Sequence, residues 1–227
     1  MTSTHPNKSL LAKYWNLFAE CKDFSTFQKC LRKVAKECSD PQNYYLTMER
    51  FFSKEFNGGL NVALYKENSY RKACGDIFEI FVEFFFRFFQ SDDVFGCKDG
   101  TYKSTDDSVD VGCDGEFVLK VNNARAFVQM KYRNDPKERP FDKDVFASLF
   151  TDAALFHGFE YKNKDERLIF ISNLNFGKRT FLQCATPIFQ RCIKEMDDQI
   201  ILIGKTEIEE KVDGHLGFWE DFLNFCK

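Results

Sequence analysis

Residues 69–90 read as one helix that is apolar nearly all the way round, with Phe78, Ile80, Phe81, Phe84, Phe85, Phe88 and Phe89 interrupted only by Glu83 and Arg87 in its second half. Such a helix cannot lie on a surface. It has to be covered on every side, as a helix buried against a sheet is. The chain has the material for this, since 28 of its 227 residues are Phe and 44% are hydrophobic. That share excludes a disordered, collagen-like or coiled-coil chain and suits one large domain, or one domain with an appendage. The most apolar part, residues 80–89, is about half the ~20 residues a bilayer span needs, so no membrane segment is expected.

The elements around this helix follow from periodicity. Residues 1–68 read as all-helical: two helices within 10–38, with a break and cap at Asp23 and Ser25, and a third over 44–56 that stops at Asn57-Gly58-Gly59. After Gln90 the period becomes two-fold. A loop over 91–108 leads to strands over 116–121 and 125–133, joined by a turn at Asn122-Asn123-Ala124. A helix over 142–158, a strand over 168–171, a helix over 187–196 and a strand over 200–203 complete the pattern. The last two strands are continuously apolar, as strands covered on both faces are. The expected class is α/β, with a mixed central sheet flanked by helices, divided into a helical region 1–68 and a second domain 69–227.

Charge and cysteine usage narrow the setting. Residues 1–72 hold 12 Lys and Arg against 7 Asp and Glu, whereas the whole chain holds 32 against 35, so the excess acid lies in the rest. Lys22, Lys29, Arg32, Lys33 and Lys36 fall mostly opposite Phe24, Phe27, Leu31 and Val34, which makes a basic face on an amphipathic helix. Such a face is either solvated or tracks phosphates, and no recognition motif accompanies it. The first residues lack the features of a signal peptide, so the nine cysteines point to an intracellular reducing compartment, cytoplasm or nucleus, and not to secretion. Without a C-x-x-C pair and with three histidines, a structural zinc site is not expected, and the thiols read as small buried hydrophobes.

Alternation along 125–133 places Phe127, Gln129, Lys131 and Arg133 on one face and Ala126, Val128, Met130 and Tyr132 on the other. Polar side chains in the middle of an apolar strand need partners or a cleft. The hairpin brings Asp110, Asp114 and Glu116 near them. A carboxylate beside an amide oxygen and an ammonium suits Mg²⁺, which takes hard oxygen ligands and keeps waters for a substrate phosphate. Arg133 at the strand's end and Lys137 and Arg139 after it suit a phosphate backbone, with an exposed turn as the other reading of Lys137 and Arg139. Cys113 has no histidine near in sequence to activate it, and His157 reads as a helix cap or surface residue.

The string Asp110-Val-Gly-Cys-Asp114-Gly, followed by Gln129-Met-Lys131-Tyr-Arg, resembles the PD-(D/E)XK nuclease motif in the D-x-G-x-D-G … Q-x-K form of the Mrr-like restriction endonuclease branch. Gly75-Asp-Ile-Phe-Glu79 resembles the G-x-x-x-E of that family's first core helix, and residues 168–172 and 200–205 resemble its later strands. The likeness covers about 70–210 and leaves the front helices unmatched. It implies a restriction-endonuclease-like αβββαβ core and a Mg²⁺-dependent endonuclease on DNA, with Mn²⁺ able to substitute. By the resemblance Asp114 is the metal-binding aspartate, with Asp110 competing for that role, Gln129 stands where glutamate is commoner, Lys131 is the catalytic lysine and Glu79 reaches the metal from the helix. Nucleic-acid contacts fall to Arg133, Lys137, Arg139, Lys29, Arg32, Lys33 and Lys36. The alternatives are an RNA or single-strand nuclease with the same site, and a catalytically silent nuclease fold that binds nucleic acid or protein. A helicase or other domain in a longer chain and a homodimer are the further partners considered, and no membrane is expected.

Overall fold

The computed structural model describes residues 12–38, 62–105, 112–142, 144–215 and 217–226. A mixed five-stranded sheet has the order β1-β2-β3-β4-β5, formed by Lys103–Ser104, Gly115–Val118, Arg125–Lys131, Arg167–Ser172 and Ile200–Ile203. The first three strands pair antiparallel and the last three parallel. The α/β class expected from the sequence is the class observed. The β2–β3 connection falls where the Asn-Asn pair was expected to turn. Asn122 and Asn123 both take left-handed backbone angles, φ 63° and 52°. Asparagine tolerates that conformation, and a hairpin turn that follows the strand twist demands it. The Leu119 amide closes the hairpin on the Ala124 carbonyl at 2.7 Å.

Helices cover both faces of the sheet. On one side Ala126, Val128, Met130, Ile169 and Ile171 meet α1 (Phe24–Cys38), α2 (Val62–Phe88), and the C-terminal pair α6 (Lys205–Val212) and α7 (Phe218–Cys226). On the other, Phe127, Leu168 and Phe170 meet α3 (Val145–Phe156), α4 (Lys178–Gln183) and α5 (Pro187–Glu195). The alternation that separates Phe127 from Val128 is therefore the division between two cores. Much of the phenylalanine lies on the first side, where Phe81 contacts Phe27 at a centroid distance of 4.5 Å and Phe222 at 5.9 Å. Such pairs add roughly 0.5–1.5 kcal/mol each beyond the area they bury.

The structure differs from expectation in several places: β1 lies within the expected loop, β2 ends at Val118, and a short 3-10 helix, Trp15–Phe18, stands where the first front helix was expected. α2 begins at Val62, so it crosses the expected boundary at 68/69, and α1 lies in the same core as the sheet. The reason is physical: Phe24, Phe27, Leu31 and Val34 are fully buried, and α2 is apolar on the side that receives them. Strand β3 stops at Lys131 because the Arg133 amide donates to Asn173 Oδ1 at 2.7 Å and leaves the ladder. α3 is shorter than 142–158, bounded by Asp144 at φ 64° and Gly158 at φ 69°. Helices α4, α6 and α7, of six, eight and nine residues, were not read from the sequence. The helix expected over 44–56 lies outside the described residues. Eight of the nine cysteines are buried, Cys192 is partly buried, and all are free thiols. Among the described residues no helix is long and apolar enough to cross a membrane.

Candidate functional site

Register places Asp114 opposite Gln129, one step beyond the Gly115–Val128 pair. The Asp114 amide donates to the Val128 carbonyl at 2.8 Å. Its carboxylate oxygen Oδ2 accepts from the Met130 amide at 2.5 Å and from Gln129 Nε2. The glycines of the motif explain how this segment fits. Gly112 has φ 123°, and a Cβ there would run into Ser148 on α3. At Gly115 a Cβ would lie 2.7 Å from the hydroxyl oxygen of buried Tyr102. The strand entrance thus passes between a helix on one side and an aromatic ring on the other, with no space for larger residues.

The electrostatics of Asp114 are unusual for a carboxylate. Burial first, and then the like charge of Glu79, push its pKa up to about 7, against the opposing pull of Lys131 and the hydrogen bonds from Met130 and Gln129. Glu79 comes from α2, on the opposite side of the sheet from Gln129 and Lys131. One turn further on, Glu83 is fully buried and ion-paired with Arg87 at 2.8 Å. The Tyr102 hydroxyl has no hydrogen-bond partner among the described residues, and Glu83, Glu79 and Asp114 add to the effect of its burial in raising its pKa. Lys131 is partly buried at the end of β3 and makes no hydrogen bond or ion pair with the described residues. With Gln129, which is 2% exposed, it lines a cavity of about 560 Å³ walled by α3 at Ser148, Thr151 and Asp152.

Three of the sequence-derived site residues, Asp114, Gln129 and Lys131, are therefore neighbours, and the charge of Glu79 is felt at Asp114 from the other side of the sheet. Asp110 lies outside the described residues. Arg133 differs from the expectation of a side chain offered to a phosphate backbone. Its guanidinium pairs with Asp142 at 2.8 Å and donates to the Arg139 carbonyl at 3.0 Å, so it holds the 133–142 loop in place. Lys137 and Arg139 are exposed on that loop. Lys29, Arg32, Lys33 and Lys36 are exposed along α1, and Arg32 Nε donates to the hydroxyl of Tyr132 at 3.3 Å. Tyr132 directly follows Lys131, so the basic face of α1 reaches the strand that carries the lysine.

A second grouping was not anticipated. Cys113, Asp152 and His157 come together, although Cys113 lies far from the other two in sequence and His157 was expected as a helix cap or surface residue. Burial pushes the Cys113 thiol up to about 12. His157 Nδ1 lies 3.1 Å from Glu116 Oε2, and its Nε2 lies 3.7 Å from Asp152 Oδ2. Only the pairing of β2 with β3 and the packing of α3 on the sheet create this cluster, so no local spacing could have revealed it. Comparison with protein-family models, with curated proteins and with solved structures finds no match to this chain.

Proposed function

We propose that this chain is a Mg²⁺-dependent endonuclease with a restriction-endonuclease-like core of the PD-(D/E)XK kind, hydrolysing phosphodiester bonds of DNA. The observation that carries the reading is the Asp114–Gln129 hydrogen bond beside Lys131, with the charge of Glu79 felt at Asp114. The succession α2-β1-β2-β3-α3-β4 and its mixed sheet are in keeping with an αβββαβ core.

The donor set fits a hard divalent cation. Asp114 and Glu79 supply carboxylates and Gln129 an amide oxygen, and the repulsion that raises the Asp114 pKa is what a cation would relieve. Mg²⁺ held by these groups supplies Lewis acidity toward a phosphate and acidity to water. The chain's own residues do the rest. Gln129 and the Met130 amide fix the orientation of the Asp114 carboxylate. The ammonium of Lys131 steadies charge as it develops on the phosphate or orients the attacking water. The exposed cations of α1 and of the 133–142 loop, Lys137 and Arg139, attract the backbone.

The test is incubation of chelator-stripped protein with duplex DNA, single-stranded DNA and RNA, with and without Mg²⁺ or Mn²⁺. Duplex cleavage only on metal addition is expected. Cleavage confined to RNA or single strands would move the substrate class, and metal-replete protein that binds DNA without cutting any substrate would make it a silent module. The basic face of α1 has its own readout. Neutralising Lys29, Arg32, Lys33 and Lys36 together is expected to flatten the slope of log affinity against log salt. Four phosphate contacts correspond to a loss of roughly 3.6 from that slope. An unchanged slope would assign the face to solvent.

A further inference from the structure

We propose that Cys113, Asp152 and His157 form a second metal site, distinct from the Asp114–Gln129–Glu79 set and suited to zinc or a similar thiophilic divalent cation. The thiol, one carboxylate oxygen and one ring nitrogen all lie within 4.8 Å of one another. A sulfur, a nitrogen and an oxygen are the donors from which zinc sites are built, whereas Mg²⁺ takes oxygen alone. Ligands 2.0–2.3 Å from a common tetrahedral centre stand roughly 3.3–3.8 Å apart. The 3.7 Å between His157 Nε2 and Asp152 Oδ2 matches that spacing and is too long for a hydrogen bond.

The orientation of the imidazole is the independent argument. Its other nitrogen, Nδ1, faces Glu116 Oε2 at 3.1 Å. A proton on Nδ1 donated to that carboxylate leaves Nε2 unprotonated and turned toward Asp152, the carboxylate–histidine–metal arrangement that sets ring tautomer and raises ligand basicity. The backbone that carries the ring is anchored as well, since Arg125 donates to the carbonyls of His157, at 2.7 Å, and Gly158. A thiol nucleophile activated by the histidine is the competing use of these groups. Cys113 is 6% exposed and closed to a substrate, while Asp152 opens on the cavity that Gln129 and Lys131 line, where a small cation enters. Three protein ligands leave a fourth position for water or substrate. Bound metal would tie the 112–116 segment to the end of α3, and so brace the segment that carries Asp114.

The experiment is titration of the chelator-stripped full chain with Co²⁺, followed by displacement with Zn²⁺ and with Mg²⁺. One equivalent of Co²⁺ should give a thiolate-to-metal charge-transfer absorption that Zn²⁺ abolishes and Mg²⁺ leaves. Cys113→Ser should lose the absorption, and Cys192→Ala should keep it. Glu116→Gln, at a partly exposed position, should weaken Co²⁺ binding 10–100-fold. The proposal is overturned if no charge-transfer band develops, if the band survives in Cys113→Ser, or if Glu116→Gln and His157→Ala both bind Co²⁺ as tightly as the parent. Should Cys113→Ser fail to fold, the latter two variants decide. Mg²⁺-dependent cleavage is measured separately, so failure here leaves the nuclease reading standing, and failure there leaves this site standing.

Discussion

Lys131→Ala is expected to bind duplex DNA nearly as the parent does and to cut it about 10²–10³-fold more slowly. The residue sits where strand β3 ends, partly buried, and its ammonium is committed to no partner among the described residues. It is therefore not held in a structural ion pair, although its charge is felt at Asp114. What is lost is a positive charge aimed at the place where a phosphate would gain negative charge. Because Lys131 also pulls the Asp114 pKa down, the variant should show its residual metal-dependent activity displaced toward higher pH. Single-turnover cleavage at saturating DNA, across pH, is the measurement. A rate near that of the parent would place the activity elsewhere in the chain or in a contaminant.

Asp114→Asn should abolish metal-dependent cleavage and at the same time stabilise the metal-free protein at neutral and alkaline pH. The carboxylate is raised from 3.8 to about 7 in the folded chain, chiefly by burial and by Glu79. A group whose folded pKa is raised contributes fully to stability below its unfolded value, and that contribution is lost as pH rises through the folded value. The cost of ionising Asp114 thus builds between about pH 4 and pH 7 and is constant above. At roughly 1.36 kcal/mol per unit, the ceiling is a few kcal/mol. An asparagine carries no charge, and its amide oxygen can accept from Met130 and Gln129 as Oδ2 does. Denaturant melts with a chelator present should show a variant advantage that is small near pH 4 and largest above pH 7. A variant no more stable than the parent at pH 8 would mean that burial of the charge is not the cause. Adding Mg²⁺ should narrow the gap, because only the parent retains the carboxylate.

The division between what sequence determined and what it could not follows the range of the interactions. Alternation along β3 separated Gln129 and Lys131 from Val128 and Met130, because strand period is a local property of the backbone. The Asn122-Asn123 turn was legible for the same reason: two adjacent left-handed residues are a demand that few side chains meet. The unusual helix announced its own burial, since an element apolar all round has no other place to be. Helix α7 escaped because its short amphipathic pattern gains meaning only against the Phe81, Phe84 and Phe88 surface that covers it. The basic face of α1 was visible. That it reaches Tyr132 beside Lys131 was not, because the contact spans 100 residues.

Two outcomes belonged wholly to tertiary structure. Arg133 was expected to contact a phosphate backbone, and only the folding back of 133–142 gave it Asp142 as a partner. Cys113, Asp152, His157 and Glu116 were separate residues with unremarkable local settings until β2 paired with β3 and α3 packed across them. Sequence carries the periods and turn chemistry of each element because these depend on neighbours along the chain. Which charges face one another, and how far burial moves a carboxylate such as Asp114, depends on neighbours across space, and these exist only once the sheet and its helices have assembled.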